Sequence, residues 1–301
     1  MLPNIDDNVI LQLNQSFNED SSLDFNLVAG LQPYFDINLQ KTNTRNNVQW
    51  YYNLFRLAKH VDLGLAHAIQ HHHIPREYLT HSTLSLLADY RVIAATTDLK
   101  PSNNITIKKH SSGWILDGNI NWISNLKNAT VLVTVATDAD SGINYRIAVD
   151  LTKVKHQIIS NVPKLAGMKY VSPMNIVIDN QLLDNKFVFG SISWPNWSVG
   201  MFESLKKMHL CFLTNMTATA SALIDEVEKM ASDRVDDYNF IIAKNSVMTA
   251  IDNWLYRVEE EPSLRNNELY YQRQSQTYTF AKNTLMQVIH LARTYGIPTH
   301  V

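Results

Sequence analysis

The sequence predicts an α+β multidomain chain: an N-terminal helical domain, a middle β-barrel and a C-terminal helical bundle. Three observations predict it. Apolar residues recur at helical spacing as far as residue 87, short strand-like runs separated by turn signals fill residues 90–190, and long stretches almost free of helix breakers follow Gly200. The expected domain limits are 1–88, 89–195 and 196–301.

In the first part, Asn47–Gln70 places Tyr51, Leu54, Phe55, Ala58, Val61, Leu65 and Ile69 close to a helix period, predicting one amphipathic helix. Pro75 predicts the start of a further short helix, with Glu77 in its first turn. Asp6–Asn38, with Pro33 near its end, carries a less regular helical pattern.

From Tyr90 onward the period changes. Arg91–Ala95, Asn104–Lys108, Trp114–Leu116, Thr130–Ala136, Tyr145–Asp150, Gln157–Ser160, Asn175–Ile178 and Lys186–Phe189 are short and rich in β-branched or aromatic residues. The breaks between them include Pro101-Ser102-Asn103, Ser112-Gly113, Asp117-Gly118, Asp138–Gly142 and Asp179-Asn180. Regular short strands of this kind predict a sandwich or barrel of about 100 residues.

Within that domain, Gly113–Asn125 reads as a hairpin. Trp114–Leu116 forms one arm, Asp117-Gly118 a type I′ turn, and Ile120, Trp122 and Ile123 the return. It ends by presenting Trp122 beside the hydroxyl of Ser124, a pair suited to a flat, hydrogen-bonding heterocycle such as a flavin. On these residues alone, a barrel-core role for Trp122 outweighs a ligand-facing one.

After Gly200, Phe202–Met230, Phe240–Glu259 and Asn267–Tyr295 predict three long helices. Ala218, Ala220 and Ala222 allow close helix packing, and Glu259-Glu260-Glu261-Pro262 reads as a solvated connection.

Composition excludes several function classes. A net charge of −2 with scattered Lys and Arg argues against a nucleic-acid surface or a polybasic membrane patch. A single cysteine, Cys211, leaves no internal disulfide framework and fits a reducing compartment. The first residues lack the basic and apolar regions of a signal peptide, and no apolar run is long enough to span a bilayer, so the expectation is a cytoplasmic protein.

The order of the three parts, with Gly113–Asn125 near the head of the β-domain, resembles the acyl-CoA dehydrogenase superfamily. Gly113–Asn125 is similar to the family's G-W-x-L-N-G-x-K-x-W-I-T-N segment, with serine for threonine. Ala95–Leu99 falls where the family has A-x-T-E-P, Lys164–Pro173 looks like its G-M-R-x-S segment, and Met230–Arg234 resembles Y-A-x-x-R. The resemblance implies FAD, with Trp122 against the isoalloxazine, Ser124 near its N5 edge, Thr97 at its pyrimidine edge and Arg234 on the pyrophosphate, often across a subunit interface. Read without the family, Arg234 is a solvated or ion-paired helix residue beside Asp233 and Asp236. The resemblance also implies a small-molecule substrate such as an acyl-CoA, and a homodimer or homotetramer.

Departures from the pattern bear on function. The family's phosphate turn, T-E-P-x-x-G-S-D, here reads Thr97–Asn104 without its glycines, leaving Lys100 and Ser102 as candidates to meet a phosphate. Asp236-Asp237-Tyr238 stands where the family has F-G soon after its arginine. Thr294–Pro298 resembles the segment preceding the usual catalytic glutamate, and the sequence reaches Val301 without that glutamate. The alternative base position, on an earlier helix, aligns with Met208, and the neighbouring substrate-site arginine with His209; Glu203 lies a turn or more away. His209 is therefore a weak candidate base, against a bland reading as a helix histidine. His67 and His71 have an i,i+4 metal-ligand spacing, but no carboxylate or cysteine supports them, so no metal is expected; the family's monooxygenases place a related His-rich stretch near substrate, which suits His71–His73. Cys211 reads as a small core residue.

Two main readings follow: a flavin-dependent oxidoreductase, either dehydrogenase or monooxygenase, or a catalytically degenerate relative serving as a binding or assembly module. A partner subunit completing a composite active site is a third.

Overall fold

The computed structural model describes residues 2–16, 25–35, 44–77, 93–96, 104–124, 126, 129–159, 174–192, 199–260, 268–297 and 299. The element order is α1 Asp7–Ser16, α2 Phe25–Phe35, α3 Thr44–His60, α4 Leu63–Glu77, then eight strands, then α5 Val199–Met230, α6 Tyr238–Glu259 and α7 Glu268–Thr294. The strands are β1 Ile93–Thr96, β2 Asn104–His110, β3 Gly113–Ile123, β4 Ala129–Asp138, β5 Asn144–Asp150, β6 His156–Ile159, β7 Met174–Leu183 and β8 Val188–Ile192.

The predicted single helix over Asn47–Gln70 is two helices. Val61 and Asp62 both donate backbone N–H groups to Leu57 O, ending α3, and Asp62 Oδ1 then accepts from Leu65 N at 2.9 Å to start α4. The side-chain period survives this break because only two residues separate the helices, which is why the sequence alone does not reveal it. Pro75 lies in the last turn of α4 rather than opening a new helix.

The chain forms two compact units. One comprises residues 1–21, 31–67 and 207–301, the other 22–30 and 68–206.

The helical unit packs α5, α6 and α7 around Leu223, Ile224, Val227, Phe240, Val247, Val288 and Leu291. Fully buried Asn53 ties its N-terminal segment to α3: Oδ1 accepts from Ile5 N at 3.0 Å, while Nδ2 donates to Pro3 O and Tyr34 O. Trp254 is buried, donates Nε1–H to Thr214 Oγ1 at 2.8 Å and stacks on Phe55 with centroids 4.5 Å apart. Cys211 is buried here, as its sequence context predicts.

The predicted solvated connection after α6 is only partly solvated. Glu260 is buried and accepts from Arg257 Nη1 at 2.9 Å; Arg257 Nε donates to Thr277 Oγ1 on α7 at 3.3 Å. Glu259 accepts from the Tyr52 hydroxyl at 3.1 Å, and burial with this carboxylate pushes the Tyr52 pKa up to about 12.

The β unit contains one sheet in the order β6-β7-β3-β2-β4-β5-β8, with β1 paired parallel to β4. Its core includes Ile105, Ile107, Leu116, Ile120, Ile176 and Ile178, with β4 and β5 contributing consecutive residues, Val131–Val133 and Ile147–Val149. Among the described residues no ladder joins β6 to β8, so the described strands form an open sheet and do not show the predicted barrel. Both end strands are short, four and five residues.

Two predicted turns are not turns. β3 runs unbroken through Asp117-Gly118, and β7 through Asp179-Asn180. The hairpin joins β2 to β3 instead, closing His110 onto Gly113. Gly118 lies inside a strand because β2 crosses too close for a side chain: a Cβ there would sit 1.9 Å from Asn104 O, at a φ of 133°.

Candidate functional site

The β3–β7 ladder carries two bulges of the same construction. Leu116 pairs with Gln181 and Gly118 with Ile178, so Asp117 alone faces the two residues Asp179 and Asn180. Ile120 pairs with Ile176 and Ile123 with Met174, so Asn175 alone faces Asn121 and Trp122. In each bulge the single residue's Oδ1 captures a backbone N–H of the doubled pair: Asp117 that of Asn180 at 3.1 Å, Asn175 that of Trp122 at 3.0 Å. Each captured residue has positive φ, 45° at Asn180 and 59° at Trp122, and among the described residues these are the two such non-glycines. Asn tolerates this conformation readily; a bulky aromatic does so at a cost of about 1–3 kcal/mol.

The bulge turns Trp122 out of the core. Ile120 and Ile123 on either side are fully buried, whereas Trp122 is 55% exposed. The core role favoured for this residue from its immediate neighbours therefore gives way. Ser124 follows two residues later, half-buried, and joins a β-bridge.

Strand register leaves one edge of β4 paired in two separate stretches. β1 and β2 both pair parallel with the same edge of β4, β1 with Ala129–Val133 and β2 with Thr137 and Asp138. Between them, Thr134–Ala136 carry no ladder partner on that edge among the described residues. Asn119 pairs with Asn104, the first residue of β2. Among the described residues β2 therefore offers no partner to the β3 residues beyond Asn119, Trp122 among them. Thr97, Lys100 and Ser102 follow β1 directly in sequence and lie outside the described residues.

Arg234 belongs to the helical unit, at the end of a 3-10 turn, Ser232–Arg234, between α5 and α6. It is exposed, and its guanidinium stacks over the Tyr295 ring at 5.1 Å. Among the described residues no carboxylate is in ion-pair contact with it, so of the solvated or ion-paired alternatives the solvated one describes it here. Asp237 instead caps α6, accepting from Asn239 N at 2.7 Å. This is the local role of the acidic residues that interrupt the family's pattern.

His209 lies on α5, exposed, with its pKa lowered by partial desolvation of the ring. Met208 precedes it on the same helix. Of the histidine cluster, His67 is buried against Phe212 with ring centroids 5.7 Å apart, and burial lowers its pKa to about 4. His72 is buried edge-on to His73. Among the described residues no three His, Cys, Asp or Glu side chains gather as a metal site would require.

A surface groove of about 740 Å³ also lies on the β unit, lined by Asn104, Asp117, Asn119, Gln157 and Asp179 among others. Its lining includes neither Trp122 nor Ser124, so this groove is not where the aromatic face is presented.

No protein-family model and no curated protein matches this sequence. Solved structures do match in three dimensions. Butyryl-CoA dehydrogenase from Megasphaera elsdenii superposes with a TM-score of 0.74 at 14% identity, covering 97% of this chain and 88% of that one. The chain adopts the acyl-CoA dehydrogenase fold. The HsaA monooxygenase from M. tuberculosis shares it, with a TM-score of 0.73 at 11% identity over 97% of this chain and 88% of that one. So does a chain of the electron transferring flavoprotein structure of Acidaminococcus fermentans, TM-score 0.73 at 13% identity over 94% and 84%. At such identities the likeness establishes the fold, and the acyl-CoA dehydrogenase fold is known among these neighbours for more than one chemistry.

Asn175 was not singled out from the sequence. Its signal there is only an asparagine at the head of a predicted strand; that it opposes Trp122 depends on a register set 53 residues away.

Proposed function

We propose that this chain is a flavin-dependent oxidoreductase of the acyl-CoA dehydrogenase type, binding FAD and acting on an acyl-CoA or related small substrate. The observation that carries the reading is the exposed indole of Trp122, held in an unfavourable backbone conformation at a bulge of the β3–β7 ladder. A strained, exposed aromatic is costly as structure and useful as a stacking surface. Trp122 lies against the isoalloxazine, Ser124 donates its hydroxyl at the N5 edge, and Thr97 meets the pyrimidine edge. Arg234, exposed and, among the described residues, without a carboxylate partner, neutralises the pyrophosphate. The bound flavin supplies hydride or oxygen chemistry; the residues of this chain orient its ring and keep its reactive edge hydrogen-bonded.

Met208 stands at a position where some members of the superfamily carry their base, and methionine takes no proton. His209 beside it is the weak candidate: its lowered pKa keeps the ring neutral near pH 7 and at the same time makes it a weaker proton acceptor. Monooxygenation, which needs no carboxylate base, is the second reading favoured by Met208. A degenerate binding module is the third. The reading includes a three-part domain layout over 1–88, 89–195 and 196–301, a cytoplasmic homodimer or homotetramer, and closure of the sheet toward a barrel.

The test is a flavin titration. Purified protein incubated with FAD and desalted is expected to stay yellow with bound flavin, and Trp122→Ala and Arg234→Ala to reduce retention at least tenfold. A colourless wild-type protein that ignores added FAD would sink the reading.

A further inference from the structure

The two bulges on the β3–β7 ladder differ in one respect that their geometry does not require. The Asp117 bulge places an asparagine at the positive-φ position, a residue that adopts this conformation readily. The Asn175 bulge places a tryptophan there. A ladder that needed only the extra twist of a bulge would be served by asparagine or glycine at both. Trp122 is kept in place by the hydrogen bond its N–H donates to Asn175 Oδ1 at 3.0 Å, and by buried Ile120 and Ile123 on either side.

We propose that Asn175 is a positioning residue for the flavin face: its side-chain carbonyl holds the Trp122 backbone left-handed and so fixes the outward direction of the indole. The inference rests on the flavin reading given above. Its physical basis is that left-handed and extended conformations of residue 122 send the side chain to different sides of β3. In the extended conformation the Trp122 N–H points elsewhere, the bulge collapses, and the ring turns toward the strand face that Ile120 and Ile123 fill. Asn175 contributes no atom to the flavin. It acts through Trp122, and an aspartate at 175 keeps the acceptor oxygen, whereas leucine removes it while preserving size.

The experiment compares wild type, Asn175→Leu and Asn175→Asp by three readouts: amide hydrogen exchange at Trp122, and the affinity and the extent of fluorescence quenching in an FAD titration. In Asn175→Leu, exchange at Trp122 is expected to accelerate at least tenfold, with exchange at Ile105 and Ile107 unchanged. The FAD dissociation constant is expected to rise at least tenfold, with weaker quenching at saturation. Asn175→Asp is expected to restore all three. Unchanged exchange at Trp122 in Asn175→Leu overturns the latch. Faster exchange with unaltered FAD affinity and quenching overturns the positioning role. Loss of FAD binding together with uniform acceleration at Ile105 and Ile107 marks a merely structural residue and also overturns it. A wild-type protein that takes up no FAD defeats the flavin reading, and with it the positioning role, while exchange at Trp122 still decides whether the latch exists.

Discussion

Asp117 and Asn180 face each other across the β3–β7 ladder, with the Asp117 carboxylate accepting the Asn180 backbone N–H at 3.1 Å. Both residues belong to dipeptides that read as turns in isolation. Opposed across a ladder, the same chemistry builds a bulge: a carboxylate that caps an N–H, a glycine that admits a neighbouring backbone, and an asparagine that tolerates positive φ. Asp117→Ala is expected to destabilise by about 1 kcal/mol, the worth of one hydrogen bond. Gly118→Ala should cost at least about 3 kcal/mol, because its Cβ meets a backbone oxygen that has no room to yield. Urea denaturation of the two variants measures both, and equal losses would contradict the distinction drawn between them.

Trp122 carries the converse expectation. Replacing it with glycine removes the strain of positive φ and exposes no core, so the apo protein should gain about 1 kcal/mol while losing FAD retention. Thermal melts with and without FAD separate the two effects. A destabilised apo Trp122→Gly would return the residue to a packing role.

His67 makes acid stability a local question. Its folded-state pKa, about 4, lies below its ordinary value of 6.5, so between these values the unfolded chain binds more protons than the folded one. Its contribution is complete above about pH 6.5 and is lost as pH falls toward 4, up to about 3 kcal/mol for this shift. Denaturation curves from pH 7.5 to 4.5 should therefore steepen less with pH in His67→Leu than in wild type. Parallel pH profiles would place the acid sensitivity elsewhere.

The Arg257–Glu260 pair tests whether the acidic run after α6 is surface decoration. Both partners are buried, so Glu260→Ala strands a guanidinium and is expected to cost about 3–5 kcal/mol. Glu259→Ala, losing only an exposed bond to Tyr52, should cost no more than about 1 kcal/mol. Replacing Arg257 by methionine together with Glu260 by leucine should recover most of the loss, since the paired charges gain little over apolar packing.

Much of the fold is legible without coordinates because it is written in local periods. Leu223, Val227 and the apolar positions of α6 and α7 recur at helical spacing, alternation marks β2, and a β-branched apolar run marks β4. Strand limits such as Tyr145–Asp150 lie within a residue of those observed. The candidate site was legible only in part. Trp122 and Ser124 stand out by residue type and order, but their neighbours Ile120 and Ile123 make the indole look like core, and Asn175 carries no local signal at all. Glu260 misleads for the same reason: three consecutive glutamates read as solvated, and only packing against Arg257 and Thr277 buries one of them.

By itself, the sequence determined which segments are helical or extended and the order in which they follow one another, since those depend on residues a few positions apart. The tertiary structure decided what becomes of Asp117-Gly118, Asp179-Asn180 and Trp122, because a turn and a bulge share the same local chemistry. They differ only in whether a distant strand lies opposite to fill the hydrogen bonds. For Trp122 that distant partner is Asn175, and their pairing is what turns an apparent core residue into an exposed aromatic face.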